Sequence, residues 1–247
     1  QETMLEGVAN NIANANTTGF RRERVEFQDL LYQTVRAAGT RTTDQTKSPS
    51  GIQLGSGVRV SATSRDFGEG TLVTTNNPLD IAVEGNGFFV VQQPDGSQAF
   101  TRAGALQKDA QGQIVTPEGY QIQPPIMIPQ DATGVTIGSD GTVTALTSAS
   151  ATPTQIGQIT IANFVNPAGL NPLGKNLYAI SESSGEPQIG IPGTDGRGTL
   201  LQGSLENANV DIVSEMIGMI SAQRAYEVNS KVVTTADDML RAATQMK

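Results

Sequence analysis

Residues 209–247 read NVDIVSEMIGMISAQRAYEVNSKVVTTADDMLRAATQMK. Apolar residues recur at helical spacing and no proline follows Pro192, which predicts one long helix. Asn209 or Asp211 is placed to cap its start. Glu215 adds negative charge in the first turn, where the helix dipole favours it. Ile212, Met219, Tyr226, Val233 and Leu240 stand seven apart and form a heptad seam. Met216 opens the alternate seam positions, and polar Gln223, Ser230, Asp237 and Thr244 continue them. A second stripe runs through Val213, Ile217, Val228, Val232, Met239 and Met246. A helix with one wet face needs a single apolar stripe. Two stripes require several neighbours, more than one intramolecular partner supplies.

The other end of the chain offers one such neighbour. Met4, Val8 and Ile12 recur every four residues, with Leu5 and Ala9 beside them, and predict a second helix. The pattern stops in NANTTG (14–19), with Gly19 as the stop signal. Gln1 already lies inside the pattern, so residues upstream are expected, and a removed signal peptide stays open. After Phe20, the spacing of Val25, Phe27, Leu30 and Leu31 predicts an extended segment leading into a short helix over 21–35. Residues 36–64 are rich in Thr, Ser and Gly and read as a linker or long arm. Within it, Ile52–Val60 has the makings of a strand around Gly55 and Gly57.

Between the ends the period changes. Residues 71–205 carry short apolar runs such as LDIAVEG, GFFVVQQ, GTVTAL and GQITIANF, separated by turn formers. Asp95-Gly96, Asp140-Gly141 and Asp195-Gly196 read as hairpin turns. Many short strands without alternating helices predict an antiparallel β domain or small barrel, not a parallel α/β sheet. The fold class is therefore α+β, mainly β: an antiparallel β domain flanked by terminal helices that pair as a coiled coil. The expected divisions are 1–15 and 206–247 for the helical part, 16–70 for the connecting arm, and 71–205 for the β domain.

Composition narrows the function. Aromatics are 4% with no Trp, so several small cores, or cores completed by neighbouring subunits, fit better than one thick core. With neither Cys nor His, thiolate chemistry and the commonest general base and metal ligand are missing. No S-x-x-K or G-x-S-x-G occurs. Gly85-Asn86-Gly87 lacks the lysine and helix of a phosphate loop and reads as a tight turn into a buried strand. The acidic turns lack the calcium-loop run, and adjacent Asp237 and Asp238 do not face each other on a helix. No catalytic, cofactor-binding or metal residues are assigned, and no cofactor is expected. Residues 66–200 carry four Lys/Arg against twelve Asp/Glu, which disfavours nucleic acid. Arg21, Arg22 and Arg24 sit among Glu23 and Glu26 and read as internal ion pairing, or pairing with an acidic neighbour, in preference to nucleic-acid contact. No stretch approaches the roughly 20 apolar residues of a membrane helix, so no membrane insertion is expected.

NNIANANTTGFRR (10–22) and SAQRAYEVNSKVVTTADDMLRAATQM (221–246) resemble the terminal signatures of the bacterial flagellar rod and hook proteins. GNGFFVV, PDGSQAFTRAGAL and GQIVTPEGYQI resemble that family's β-domain core. LLYQTVRAAGT with SGIQLGSGVRV (30–60) is most similar to its distal-rod branch. The resemblance implies a structural subunit, not an enzyme, that stacks into a rigid helical tube carrying torque from motor to hook. It implies as partners further copies of the chain, other rod proteins and the hook protein, the surrounding P and L ring proteins, and the flagellar export apparatus. It places the chain in the basal body across the periplasm, exported without a cleaved signal peptide. Alternatives are a proximal rod or hook subunit, and a secreted β-rich binding module or adhesin.

Spacing and resemblance together define an expected assembly surface. At the start it comprises Met4, Val8, Asn11, Ile12, Asn14, Gly19 and Phe20. At the end it comprises Met216, Ile217, Ile220, Gln223, Arg224, Tyr226, Asn229, Val233 and Leu240. Residues 40–57 of the arm are expected to govern stiffness, since only packing between subunits could order so polar a stretch.

Overall fold

The computed structural model describes residues 1–39, 49–148 and 150–245. Helix α1 (Glu2–Ala13) opens the chain. Strands β1 (Glu23–Asp29), β2 (Tyr32–Arg36), β3 (Ile52–Gly55) and β4 (Val58–Arg65) follow. Next come β5 (Leu72–Thr74), β6 (Ile81–Glu84), β7 (Phe88–Gln92), β8 (Gln98–Thr101), β9 (Gln107–Lys108), β10 (Ile114–Val115) and β11 (Gln121–Ile122). Then follow β12 (Ala132–Ile137), β13 (Thr142–Thr147), β14 (Ser150–Gln158), β15 (Ile161–Asn163), β16 (Asn171–Gly174) and β17 (Leu177–Ala179). The last strands are β18 (Gln188–Gly190), β19 (Thr199–Gln202) and β20 (Ser204–Glu206), before helix α2 (Ile212–Gln245). The strand pairs between β5 and β20 are antiparallel, so the body is a mainly β structure with a helix from each chain end, as the sequence predicts.

The body is organised by β7, which is buried on both faces. Its one edge pairs with β8, while the other pairs with β15 at Phe88 and Phe89 and with β11 further on. Side chains alternate across a strand, so Phe89 and Val91 enter one core while Phe88 and Val90 enter another. The first core gathers aliphatic side chains from β6, β7, β10, β13 and β19. The second is aromatic: Phe67, Phe88, Phe100, Phe164 and Tyr178 meet edge to face, Phe100 and Phe164 with centroids 4.9 Å apart. Two modest cores are what the low aromatic content led us to expect. Gly85 and Gly87 have positive φ (94° and 145°) and turn the chain into β7, which accounts for the Gly-Asn-Gly run without any ligand.

Two Asp-Gly turns join paired strands, β7 to β8 and β12 to β13. There the aspartate works through its side chain: Ser97 N–H donates to Asp95 Oδ1 at 2.9 Å, and Thr142 N–H to Asp140 Oδ1 at 3.0 Å. The third is not a hairpin. Asp195-Gly196 closes a local loop, with Gly193 N–H donating to Gly198 O at 2.9 Å. Its flanking strands β18 and β19 pair elsewhere, with β15 and β6, because the chain changes sheet at this point.

The short helix expected within 21–35 is absent; β1 and β2 occupy that segment. β1 pairs with β4 and β2 with β3, and Leu30 N–H donates to Gly57 O at 2.9 Å between them. The four strands thus make one long two-stranded ribbon. The adjacent leucines that suggested a helix sit at the step in the ribbon, where Leu31 is 90% exposed. Long-range pairing, not local spacing, decides the conformation here. The linker expected over 36–64 is therefore largely strand in its second half; residues 40–48 lie outside the described residues.

Candidate assembly surface

Two elements leave the β body with apolar side chains uncovered: helix α2 and the ribbon. Asp211 caps α2, accepting from Val213 N–H at 3.1 Å and Ser214 Oγ–H at 2.6 Å. These bonds hold its carboxyl below the usual aspartate value. Asn209, the other candidate cap, instead bridges segments: it accepts from Arg22 N–H at 2.7 Å and donates to Asp66 O at 2.8 Å and Gly68 O at 3.1 Å.

Helix α1 lies antiparallel against the first turns of α2. Asn11 Nδ2 donates to Glu215 Oε2 at 3.2 Å, and Val8 lies beside Gly218. Asn11 also behaves as a strand partner, donating to Glu23 O at 2.9 Å and accepting from Glu23 N–H at 2.8 Å. Glu215 is buried, and Arg22 Nε lies 2.6 Å from its Oε1, an ion pair by distance whose alignment falls outside hydrogen-bond geometry. The dipole reading of Glu215 therefore understated its part: it pins α2 to α1 and to the start of β1.

The residues of the expected surface fall into two groups. Val8, Asn11, Gly19 and Phe20 are buried inside the chain, and Met4, Ile12 and Asn14 are half-buried. Gly19 has a φ of 68°, and a Cβ there would come within 2.7 Å of Ala103 N. Phe20 lies under the Arg65 guanidinium, 5.9 Å from its ring centre. Asn14 donates to Asn10 O at 2.9 Å. Val8, Asn11, Gly19 and Phe20 hold the two ends and the body together, while the bonds of Asn14 are local to the end of α1. By contrast Met216, Ile217, Ile220, Gln223, Arg224, Tyr226, Asn229, Val233 and Leu240 are exposed. Beyond Ala222 no described residue of α2 is buried, although Val228, Val232, Val233, Met239 and Leu240 are apolar and each over 60% exposed. At 1.5 Å per residue the helix is about 50 Å long, and α1 covers only its first third.

The ribbon is a second uncovered surface; packing of the arm between subunits was expected from its polar stretch, but not that the arm is a strand ribbon with exposed apolar side chains. Leu31, Tyr32, Val35, Leu54 and Val58 are each more than half exposed. A two-stranded ribbon is at best marginal alone in water, so these side chains call for a covering surface.

The foot of the ribbon carries a buried ionic cluster. Arg21 Nη1 and Arg102 Nε each lie 2.8 Å from one oxygen of Glu206. Arg102 also donates to Gly85 O and Gly87 O at 2.7 Å and to Val83 O at 3.0 Å. Arg21 donates to Gly68 O at 2.9 Å, and Gly70 N–H to Glu206 Oε1 at 2.8 Å. The internal pairing expected of Arg21 and Arg22 is present, but with Glu206 and Glu215, not with the neighbouring glutamates. Arg102 and Glu206 carry no comparable local signal, since each stands at a strand end beside polar residues and their pairing is long-range. Burial pushes the Arg102 guanidinium down from its ordinary value. Burial alone would raise the Glu206 carboxyl, but Arg102, Arg21 and the Gly70 N–H outweigh it and hold it below the usual glutamate value.

This shift fixes a pH dependence. A carboxyl depressed on folding contributes stability above its unfolded value of about 4.3 and loses it as pH falls through the lower folded value. Glu206→Gln should therefore melt below wild type at pH 6, and the gap should narrow as pH falls below the unfolded value of about 4.3 and through the lower folded one. A constant gap in melting temperature across that window would contradict the assignment.

Three family descriptions match the chain in order. "Flagella basal body rod protein" covers residues 1–21, "Flagellar hook protein FlgE/F/G D1 domain" 82–145, and "Flagellar basal body rod FlgEFG protein C-terminal" 201–246. Among curated relatives, a "Flagellar basal-body rod protein FlgG" of Agrobacterium fabrum is 50% identical, over 97% of this chain and 92% of its own length. Proteins of the same name from Caulobacter vibrioides and Buchnera aphidicola are each 46% identical, over 100% and 98% of this chain and 95% and 93% of theirs.

Proposed function

The chain belongs to the family of flagellar basal-body rod proteins named FlgG, and from that premise we propose that it is a structural, non-enzymatic subunit of the distal rod. In this reading subunits polymerise into a rigid helical tube that transmits torque from motor to hook. The observation that carries it is the bare apolar length of α2 beyond Ala222. A surface of that extent on a single helix belongs against other helices. The terminal helices line the tube as a coiled coil, with Tyr226, Val233 and Leu240 in the seam. The ribbon braces adjacent subunits, and the acidic β body faces outward. Contacts made by both ends of one chain are heterologous and build open filaments, not closed rings.

The partners that follow are further copies of the chain, the other rod proteins and hook protein at the tube ends, the P and L ring proteins outside, and the export apparatus that delivers subunits. The location is the basal body across the periplasm, reached without a cleaved signal peptide.

Stiffness resides in the ribbon. Deleting 40–57, as the sequence suggested, would strip β3 from β2 and bare an edge. The cleaner deletion takes 32–55, both outer strands. Polymers of that variant should still form, but with a shorter persistence length in electron micrographs. Undiminished stiffness would refute the bracing role.

A further inference from the structure

Two peptide connections join the β body to the remainder of the chain. Residues 66–71 run from the ribbon into β5, and 207–211 run from β20 into α2. The first contains Gly68 and Gly70, and such a pair of short connections is the usual make-up of a hinge. Here both connections and a third segment converge on one carboxylate. Glu206 ends the last body strand, and its carbonyl accepts from Gly19 N–H at 2.8 Å. Its carboxylate takes Arg21 from the foot of the ribbon, Gly70 from the first connection and Arg102 from the body. Asn207 N–H donates to Thr71 O at 2.9 Å, which ties the two connections to each other.

We propose that the Arg21–Glu206–Arg102 cluster is a locking joint that makes the helices, ribbon and β body one rigid unit across what would otherwise be a two-stranded hinge. A purely apolar contact of this size would permit sliding. Buried ionic groups do not, because a shifted pair leaves a charge unpaired in a dry site. Arg102 is fastened to the body by three carbonyls independently of Glu206, so it acts as the fixed half. Arg21 reports the position of the ribbon foot and acts as the moving half. Other contacts flank the joint. Phe67 of the first connection packs against Phe88 and Tyr178, and Gly85 N–H donates to Glu69. Asn209 ties Arg22 to Asp66 and Gly68, and Asn176 Nδ2 donates to Thr18 O at 3.1 Å. The cluster, by contrast, gathers the ribbon foot, the first connection and the body on one carboxylate. The inference concerns the single chain and holds whether or not the polymer reading does.

The chain has no Cys, so two can be introduced for spin labelling without background. Gln223→Cys on α2 and Asp131→Cys on the body are both at exposed positions. In the otherwise wild-type protein the distance distribution should be single and narrow. Arg21→Met, which removes only the moving half, should roughly double its width, as a freed hinge would. The near-ultraviolet signal of the aromatic core should meanwhile be retained. Glu206→Gln should do the same. A width unchanged in both variants, or a distribution already broad with the cluster intact, would overturn the proposal. So would loss of the aromatic signal in Arg21→Met, since the cluster would then be part of the body's core and not a joint. Should Glu206→Gln fail to fold, Arg21→Met decides alone.

Discussion

Val233→Asp combined with Leu240→Asp should abolish polymerisation while leaving the isolated chain as stable as before. Both side chains are over 60% exposed, so the single molecule has nothing to lose at these positions. Surface changes of that kind usually stay within about 0.5 kcal/mol. In the tube both positions lie in the seam. Each then forfeits about 1.5–3 kcal/mol of apolar burial and places an unpaired carboxylate in a dry contact, which costs more. Two such sites weaken each contact by roughly 6 kcal/mol, above 10,000-fold at about 1.4 kcal/mol per decade. The measurement is pelletable polymer at high protein concentration beside the melting temperature of the dilute chain. Pelleting equal to wild type would remove α2 from the assembly surface.

The largest effect on the isolated chain should come from Arg102→Met. The guanidinium is 4% exposed and serves three main-chain carbonyls and Glu206. Methionine fills much of the volume and satisfies none of these acceptors. Glu206 keeps Arg21 and the Gly70 N–H but loses its body-side partner. Breaking a buried pair from one side costs about 3–5 kcal/mol, before the orphaned carbonyls are counted at about 1–3 kcal/mol each. Against a total stability of about 5–15 kcal/mol, the body should be at least partly unfolded at room temperature. Arg102→Lys should rescue little, because one ammonium cannot span acceptors that the planar fork reaches together. A melting temperature within a few degrees of wild type, at about 2–4 °C per kcal/mol for a chain of this size, would show that the cluster is peripheral.

Periodicity carried the parts of this fold that local spacing decides. The seven-residue recurrence from Ile212 to Leu240 was enough for α2, and the turn formers around Asp95 and Asp140 were enough for their hairpins. The ribbon was not readable in the same way. Tyr32 pairs with Gly55 and Arg36 with Ile52, contacts that no window around either strand contains, and the paired leucines at 30 and 31 pointed locally toward a helix. The ionic cluster was hidden for the same reason, since Arg21, Arg102 and Glu206 meet only in the folded chain. Asn11 and Phe20 were expected on the assembly surface, but both are buried within the single chain. The structure spends them inside the molecule, which moves the free surface toward the far end of α2 and onto the ribbon.

Electron microscopy of the purified protein at high concentration tests the central claim most directly. Straight tubes of uniform diameter, absent from the Val233→Asp, Leu240→Asp variant, are the expected result. Protein that stays monomeric at every concentration, or closes into discrete rings, would contradict an open helical assembly built through the chain ends.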